Sequence, residues 1–403
     1  MARALLTAEQ AATRLGVKLQ TLYAYVSRGV LSRTLSDDLR TSRFDASEVD
    51  ALARRGRPRQ GVARLGTIEV SIATQITRVQ EGRLQFRGHD VRVLAAQHGF
   101  EEVSELLWSG ELRPFIDWEE EPRARRLVQK IVAVLPGAIS PLERFATVAA
   151  AIAPLFPLRA ETRLEAASAH GRALLFAFAG SLPLSKGARP PRPGARMAQR
   201  LWPCLSALPA TAIRTRLLDT ALVLLADHEL ATSTVAARVA ASTRANPFAV
   251  VLAGLGAMNG PLHGKAALEV HQLLLEAQAS SAEGAVMRVV EAGRAMPGFG
   301  HPVYRELDPR AAHLMDALLP LLAPQSATLV QAVRRAAQAA TSPPANVDFA
   351  LGALAFGMRM PLGSTEAIFA LARTSGLIAH ALEEYGEEPL RFRARAIFVG
   401  KSS

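Results

Sequence analysis

The chain of 403 residues has a single cysteine, Cys204, so it holds no internal disulfide. This excludes a disulfide-braced scaffold and fits a reducing compartment, with Cys204 most simply a small buried hydrophobe. Lysine is also scarce, with five among the 47 basic residues. An arginine bias in an Ala-rich chain can arise from GC-rich coding, so charge alone names no partner. Long apolar runs are missing too. The longest, Phe145–Leu158, is broken by Thr147, Pro154 and Pro157, and a spanning helix needs about 20 apolar residues. The start, MARALLTAEQ, has no hydrophobic signal core, so a soluble, cytoplasmic protein is expected. There is no glycine-rich phosphate loop, nucleophile elbow, internal repeat or metal-spaced Cys/His cluster, and no metal is expected.

What is present is a chain 49% apolar and long enough for two or three folding units. The net charge is +11, and residues 1–60 carry 11 basic against 6 acidic groups, so +5 lies in a small part of the chain. That asymmetry hints at a nucleic-acid partner for the N-terminus. Residues 5–30 read as two short helices. Thr7 is an N-cap candidate, with Ala8, Ala11, Ala12 and Leu15 as an apolar stripe. Gly16 turns the chain, Leu19, Leu22 and Val26 repeat at helical spacing, and Gly29 stands at a C-cap. The segment VLSRTLSDDLRTSRF suits a hairpin or wing, and Asp45-Ala-Ser-Glu48 resembles a capping box. Arg54–Gly61 reads as a basic linker.

The pattern LTAEQAATRLGV…TLYAYVSRGVL over Leu5–Ala53 resembles the winged helix-turn-helix of the MerR and excisionase group. That resemblance implies a second helix in the major groove of double-stranded DNA, presenting Lys18, Gln20, Thr21, Tyr23, Ser27 and Arg28. Arg33, Arg40 and Arg43 would hold phosphates. The alternative is a capping module that has lost DNA binding.

From residue 62 the pattern is mostly helical. FEEVSELLWSGEL (Phe100–Leu112) is amphipathic, and Pro-rich breaks fall at Pro136–Pro141 and Pro183–Pro193. Polar residues gather late: His228, His263, His301, Asp348, Arg373 and Arg393. A lone histidine is commonly structural, but glycines beside His263 and His301 allow a ligand close backbone approach. Eight ordered segments carry a further resemblance: EGRLQFRGHDVRVLA, FEEVSELLWSGEL, LLADHELATST, GPLHGKA, GFGHPVYRELDPRA, NVDFALG, FALARTSGLIAHALEE and RARAIFVG. Together, over roughly Thr67–Gly400, they closely resemble the citrate synthase family.

The resemblance implies an all-α fold: a two-domain citrate synthase-like body, with large and small helical domains, after the N-terminal winged helix-turn-helix. The expected boundaries are 1–57 for the helix-turn-helix and 58–61 for the linker. The large domain would be 62–263 and 355–403, and the small domain 264–354. It implies condensation of acetyl-CoA or propionyl-CoA with oxaloacetate, giving citrate or 2-methylcitrate. Coenzyme A enters only as substrate, with no other cofactor.

By the same resemblance Asp348 takes the proton, His263 donates to the thioester carbonyl, and His301 polarises the oxaloacetate carbonyl. His228, Arg310, Arg373 and Arg393 hold the dianion, with Phe369 packed beside the reacting groups. Met296, Pro297, Gly298, Phe299 and Gly300 form the loop against the CoA adenine, and Arg305 meets a CoA phosphate. Arg393 would come from the partner subunit of a homodimer. The sequence departs from the family where Ala231 and Ala267 replace asparagines and where Ala394 follows Arg393. His89, His98, His170, His271, His313 and His380 are taken as structural, His380 as a packing residue of its helix. The rival reading is a transcription regulator whose body senses oxaloacetate or an acyl-CoA.

Overall fold

Thr7 ends strand β1 (Leu5–Thr7) and caps helix α1 (Ala8–Leu15). Its hydroxyl accepts from Gln10 N, and the Gln10 side chain accepts from Thr7 N at 2.9 Å, a complete capping box. In the computed structural model the residues described are 5–17, 19, 22, 26, 31–35, 42–55, 71–113, 117–260, 263–341 and 343–394. The chain falls into two compact units, Met1–Ala73 and Thr74–Ser403.

In the first unit Gly16 closes α1 in the left-handed region, at φ 64°, where glycine alone is unstrained. The hairpin of β2 (Thr34–Leu35) and β3 (Ser42–Asp45) matches the expected wing. The reading of residues 5–30 as helices alone needs correction. Leu5–Thr7 is extended and pairs with β3, giving a three-stranded sheet in the order β1-β3-β2. The cause is Thr7 itself, whose cap requires extended backbone (ψ 165°) and so carries the strand to the helix start. Helix α2 (Ala46–Arg55) follows, taking in the first two residues of the expected linker. Asp45 Oδ1 accepts from Ser47 N at 2.8 Å, as its capping role requires, while the Glu48 carboxylate is drawn on by Ser32 N at 3.0 Å. Ala11, Ala12, Leu22, Leu31, Phe44 and Val49 form a small core. Arg14 on α1 pairs with Asp50 on α2.

The second unit opens with a meander the sequence reading had not separated: β4 (Thr77–Gln80), β5 (Arg83–Phe86) and β6 (His89–Asp90). Its two-residue turn places Glu81 at φ 52° and Gly82 at φ 71°, the pair of positive angles that a tight hairpin turn demands. All the remaining long elements are helices: α3 (Val91–Gln97), α4 (Phe100–Ser109), α5 (Pro122–Val132), α6 (Pro141–Ile152), α7 (Leu164–Ser181), α8 (Met197–Leu205) and α9 (Ala212–Leu225). They continue as α10 (Thr232–Ser242), α11 (Pro247–Met258), α12 (Ala266–Ala279), α13 (Ala282–Glu291), α14 (Pro309–Leu318), α15 (Pro324–Thr341), α16 (Val347–Gly357) and α17 (Ser364–Tyr385). The Pro-rich breaks lie between α5 and α6 and between α7 and α8, as expected.

Helix α17 is the axis of this unit. It packs against α4, α7, α9, α10 and α11, and from Ser364 to Ala381 all but Phe369 is buried. It is held by polar anchors as well as by apolar burial. Trp108 Nε1 on α4 donates to Ser375 O at 2.9 Å, and the buried Arg238 on α10 pairs with Glu383 and Glu384. Helices α12 to α16 pack largely on one another. Among the described residues no helix is long and apolar enough to cross a membrane.

Candidate active site

Helix α9 ends at Leu225, and the short segment Ala226–Leu230 runs against α17. His228 lies in this segment, 8% exposed, and its Nε2 shares a 3.0 Å hydrogen bond with the Tyr304 hydroxyl. Its ring centroid is 5.1 Å from that of His301 and 5.5 Å from that of Tyr304. Burial, then the positive charges of Arg310 and Arg373, push His228 well below the usual histidine range. It is therefore neutral.

His301 precedes a tight bend in which its own Nδ1 accepts from Val303 N at 3.1 Å and Tyr304 N at 3.4 Å. A ring nitrogen that accepts carries no proton, so the neutral ring keeps its hydrogen on Nε2, free to donate. Burial and Arg310 keep the ring neutral by lowering its pKa.

Arg310 is the second residue of α14, after the N-cap Asp308 and the first helical residue Pro309. The guanidinium lies side-on to Asp308, with Nε–Oδ1 at 3.0 Å and Nη2–Oδ2 at 2.8 Å. It also lies over the Tyr304 ring, 5.4 Å from its centroid. Asp308 Oδ2 further accepts from Val347 N at 2.9 Å, joining α14 to the start of α16.

Asp348 stands in the first turn of α16, whose N-cap Asn346 accepts from Asp348 N at 2.9 Å. Burial pushes Asp348 up to about 6, with Arg310 and Arg373 opposing the rise and Asp308 adding to it. It becomes a stronger base than a solvated carboxylate while staying ionised near neutral pH. The loop Met296–Gly300 is held against the same helix start. Asn346 N donates to Gly298 O at 2.9 Å, and Asn346 Nδ2 donates to Gly300 O at 2.7 Å. Gly298 (φ 78°) admits no side chain, because a Cβ would lie 2.6 Å from Val270 and 2.9 Å from Phe349.

His263 precedes α12, and its Nε2 is 2.8 Å from Ser233 Oγ on α10. Phe369 on α17 joins the two halves of the cluster. Its ring is 6.0 Å from His263, edge to face, and the Arg373 guanidinium lies 4.9 Å from its centroid. Arg373 is 2% exposed and donates from Nε to Leu225 O at 3.1 Å. Its terminal nitrogens have no hydrogen-bond partner among the described residues. Burial depresses its pKa to about 10, opposed by Asp227, so the guanidinium stays charged.

The expected residues His228, His263, His301, Arg310, Asp348, Phe369 and Arg373 thus lie in one linked cluster. Arg305 and Arg393 do not join it: both are exposed. Of the expected DNA-facing set, Lys18, Gln20, Thr21, Tyr23, Ser27, Arg28 and Arg40 lie outside the described residues, while Arg33 is exposed and Arg43 is half-buried in β3. Ala231 is the N-cap of α10 and makes no side-chain cap bond, and Ala267 is buried in the first turn of α12. Both positions present methyl groups.

The sequence reading missed Ser233, Tyr304, Asp308, Asn346 and Asp227. Asp308-Pro309 and Asn346 were legible as helix starts; the other three carry no local signal. His380, expected as a packing residue of its helix, is fully buried, and its Nε2 is 3.2 Å from Asp227 Oδ2. Cys204 is half-buried, and burial pushes its thiol up to about 11. Among the described residues no group of His, Cys, Asp and Glu could hold a metal ion.

Comparison with known proteins agrees with this geometry. Residues 67–395 match the family model described as "Citrate synthase, C-terminal domain", and residues 5–57 match a helix-turn-helix domain model. Citrate synthase 2 of Bacillus subtilis is 30% identical over 357 residues, covering 82% of this chain and 94% of that one. The 2-methylcitrate synthase of Mycobacterium tuberculosis is 29% identical over 336 residues, covering 77% and 84%. The crystal structure of citrate synthase from Thermotoga maritima superposes with a TM-score of 0.68 at 25% identity, over 85% of this chain and 97% of that one. With the model match spanning most of its length and the acid-base cluster set on the matched segments, the chain belongs to the citrate synthase family, with a helix-turn-helix domain at its N-terminus.

Proposed function

We propose that the protein condenses an acyl-CoA, acetyl-CoA or propionyl-CoA, with oxaloacetate, as a citrate synthase-type acyltransferase. One observation carries the proposal. A carboxylate of raised basicity, Asp348, shares a cluster with three histidines whose pKa values are all lowered and with two buried arginines. A proton beside a thioester is too weakly acidic for a carboxylate acting alone. In the proposed reaction Asp348 takes that proton while His263 donates to the thioester oxygen, so no free enolate charge accumulates. In the proposed arrangement the Ser233 hydroxyl, 2.8 Å from His263 Nε2, donates to it, which leaves the imidazole proton on Nδ1 for the substrate. His301 Nε2–H polarises the ketone of oxaloacetate. His228, Arg310 and Arg373 bind its carboxylates, the arginines through N–H groups left open by Asp308 and Leu225. The loop Met296–Gly300 and Arg305 take the CoA nucleotide.

Helices between residues 264 and 354 pack largely on one another, which supports their acting as a small domain that closes over the substrates and excludes water. The exposure of Arg393 supports its completing the partner's site in a homodimer. A CoA-release assay with oxaloacetate and each acyl-CoA tests the proposal; no turnover with either would overturn it.

For the N-terminal unit we propose binding to double-stranded DNA, supported by the helix-turn-helix match and the +5 charge of residues 1–60. Phosphate contacts would make affinity fall steeply with salt. No retention of any duplex at low salt by the full chain would exclude it. A purely regulatory body would leave the raised basicity of Asp348 without a use.

A further inference from the structure

Asp227 lies one residue before His228 and is fully buried, yet no substrate role falls to it. Its Oδ2 accepts from the Thr77 hydroxyl of β4 and from His380 Nε2 of α17, the latter at 3.2 Å. Its Oδ1 has no hydrogen-bond partner among the described residues. A buried carboxylate with an unsatisfied oxygen is costly, so its retention needs a compensating interaction. Burial opposes its charge, but His380 and then Arg373 hold its pKa down, and Asp227 in turn supports the charge of Arg373.

Two more bonds join the same segment to the same helix. Arg373 Nε donates to Leu225 O at 3.1 Å, and Gly376 N donates to Ala226 O at 3.1 Å. Three consecutive residues, Leu225, Ala226 and Asp227, are thus fastened to α17 at Arg373, Gly376 and His380. The approach is as close as chain sterics permit, since a Cβ on Gly376 would lie 2.3 Å from Asp227 Oδ1. The segment so fastened delivers His228, and the helix it is fastened to carries Arg373.

We propose that Asp227, held by Thr77 and His380, is a positioning residue of the oxaloacetate site: it fixes His228 relative to Arg373 and supplies the counter-charge that keeps Arg373 aimed with its outer N–H groups free. This rests on the site reading given above. It assigns His380 and Thr77 to the function as well, through Asp227 and not through substrate. Because the clamp acts on the dianion's ligands and not on the CoA loop, its loss has a direction. It weakens oxaloacetate and leaves the acyl-CoA alone.

The test is steady-state kinetics of the full-length protein with both substrates varied, beside calorimetric titration with oxaloacetate. Wild type comes first: failure to bind oxaloacetate or to turn over would overturn the site reading itself. With wild type active, Asp227→Asn is expected to raise KM for oxaloacetate about tenfold or more while KM for acyl-CoA stays within about twofold. Thr77→Val, which leaves the carboxylate and His380 in place, is expected to raise the same KM about two- to fivefold. His380→Gln, which keeps a donor toward Asp227, should fall between the two. Unchanged oxaloacetate affinity in these variants overturns the proposal. So does an equal rise of both KM values in step with lowered thermal stability, the mark of a merely structural role. Should Asp227→Asn fail to fold, the same two criteria are read from Thr77→Val and His380→Gln.

Discussion

Asp308 and Arg310, two residues apart in the chain, meet side-on through a pair of hydrogen bonds of 3.0 and 2.8 Å, and Asp308 also accepts from Val347 N at the start of α16. A single carboxylate therefore aims Arg310 and anchors the helix that carries Asp348. Asp308→Asn keeps the shape but loses the charge-assisted pair. Kinetics should show KM for oxaloacetate rising about tenfold or more, and denaturant titration a stability loss of about 2–3 kcal/mol.

Asp308 and Asp348 should respond to pH with opposite signs. Burial raises the pKa of Asp308, but Arg310 and the two backbone donors outweigh it and leave it depressed. Its stabilisation is present above the unfolded pKa and is lost as pH falls through the folded one. Asp348 is raised from 3.8 to about 6, so its ionisation costs stability, beginning as pH rises past the unfolded value and complete above about 6. Asp348→Asn should therefore be more stable than wild type by about 3 kcal/mol at pH 8, the gain vanishing below about pH 4. Denaturant curves at the two pH values check this. The same variant should be catalytically dead, and wild-type kcat/KM should fall on the acid side with an apparent pKa near 6.

Ser233 fixes the His263 ring through a 2.8 Å contact to Nε2. Ser233→Ala removes this contact. The expected outcome is a fall of about 10- to 100-fold in kcat, with KM for oxaloacetate within about threefold. A fall confined to KM would dissociate Ser233 from His263.

A shared site predicts complementation. Arg393→Ala and Asp348→Ala chains, each inactive alone, should on unfolding and refolding together recover about one quarter of wild-type activity, because half of the dimers are mixed and each mixed dimer assembles one intact site. No recovery would place Arg393 outside the neighbouring site.

Much of this was legible in sequence because its causes are local. Thr7 with Gln10, Gly16, Asp308-Pro309 and the proline breaks write helix ends into a few neighbouring residues. The cluster was legible through resemblance, since His228, His263, His301, Asp348 and Arg373 sit in short ordered segments. What stayed hidden is non-local. Ser233 meets His263 across 30 positions, and Asp227 meets Thr77 across 150 and His380 across 153. The β4–β6 meander escaped because its strands are two to four residues long, too short for an alternating pattern to emerge.

Gly376 carries a consequence for heredity. It lies in the middle of the most enclosed helix, at an ordinary helical backbone angle, where propensity alone would favour alanine. Yet a single added methyl would lie 2.3 Å from Asp227 Oδ1 and 2.6 Å from Ala226 O. The rule that makes alanine the safest replacement elsewhere in a helix is inverted here. A library randomised at this codon and selected for turnover should return glycine alone, so one absent methyl marks how far this lineage can drift while keeping this helix against the segment that carries Asp227.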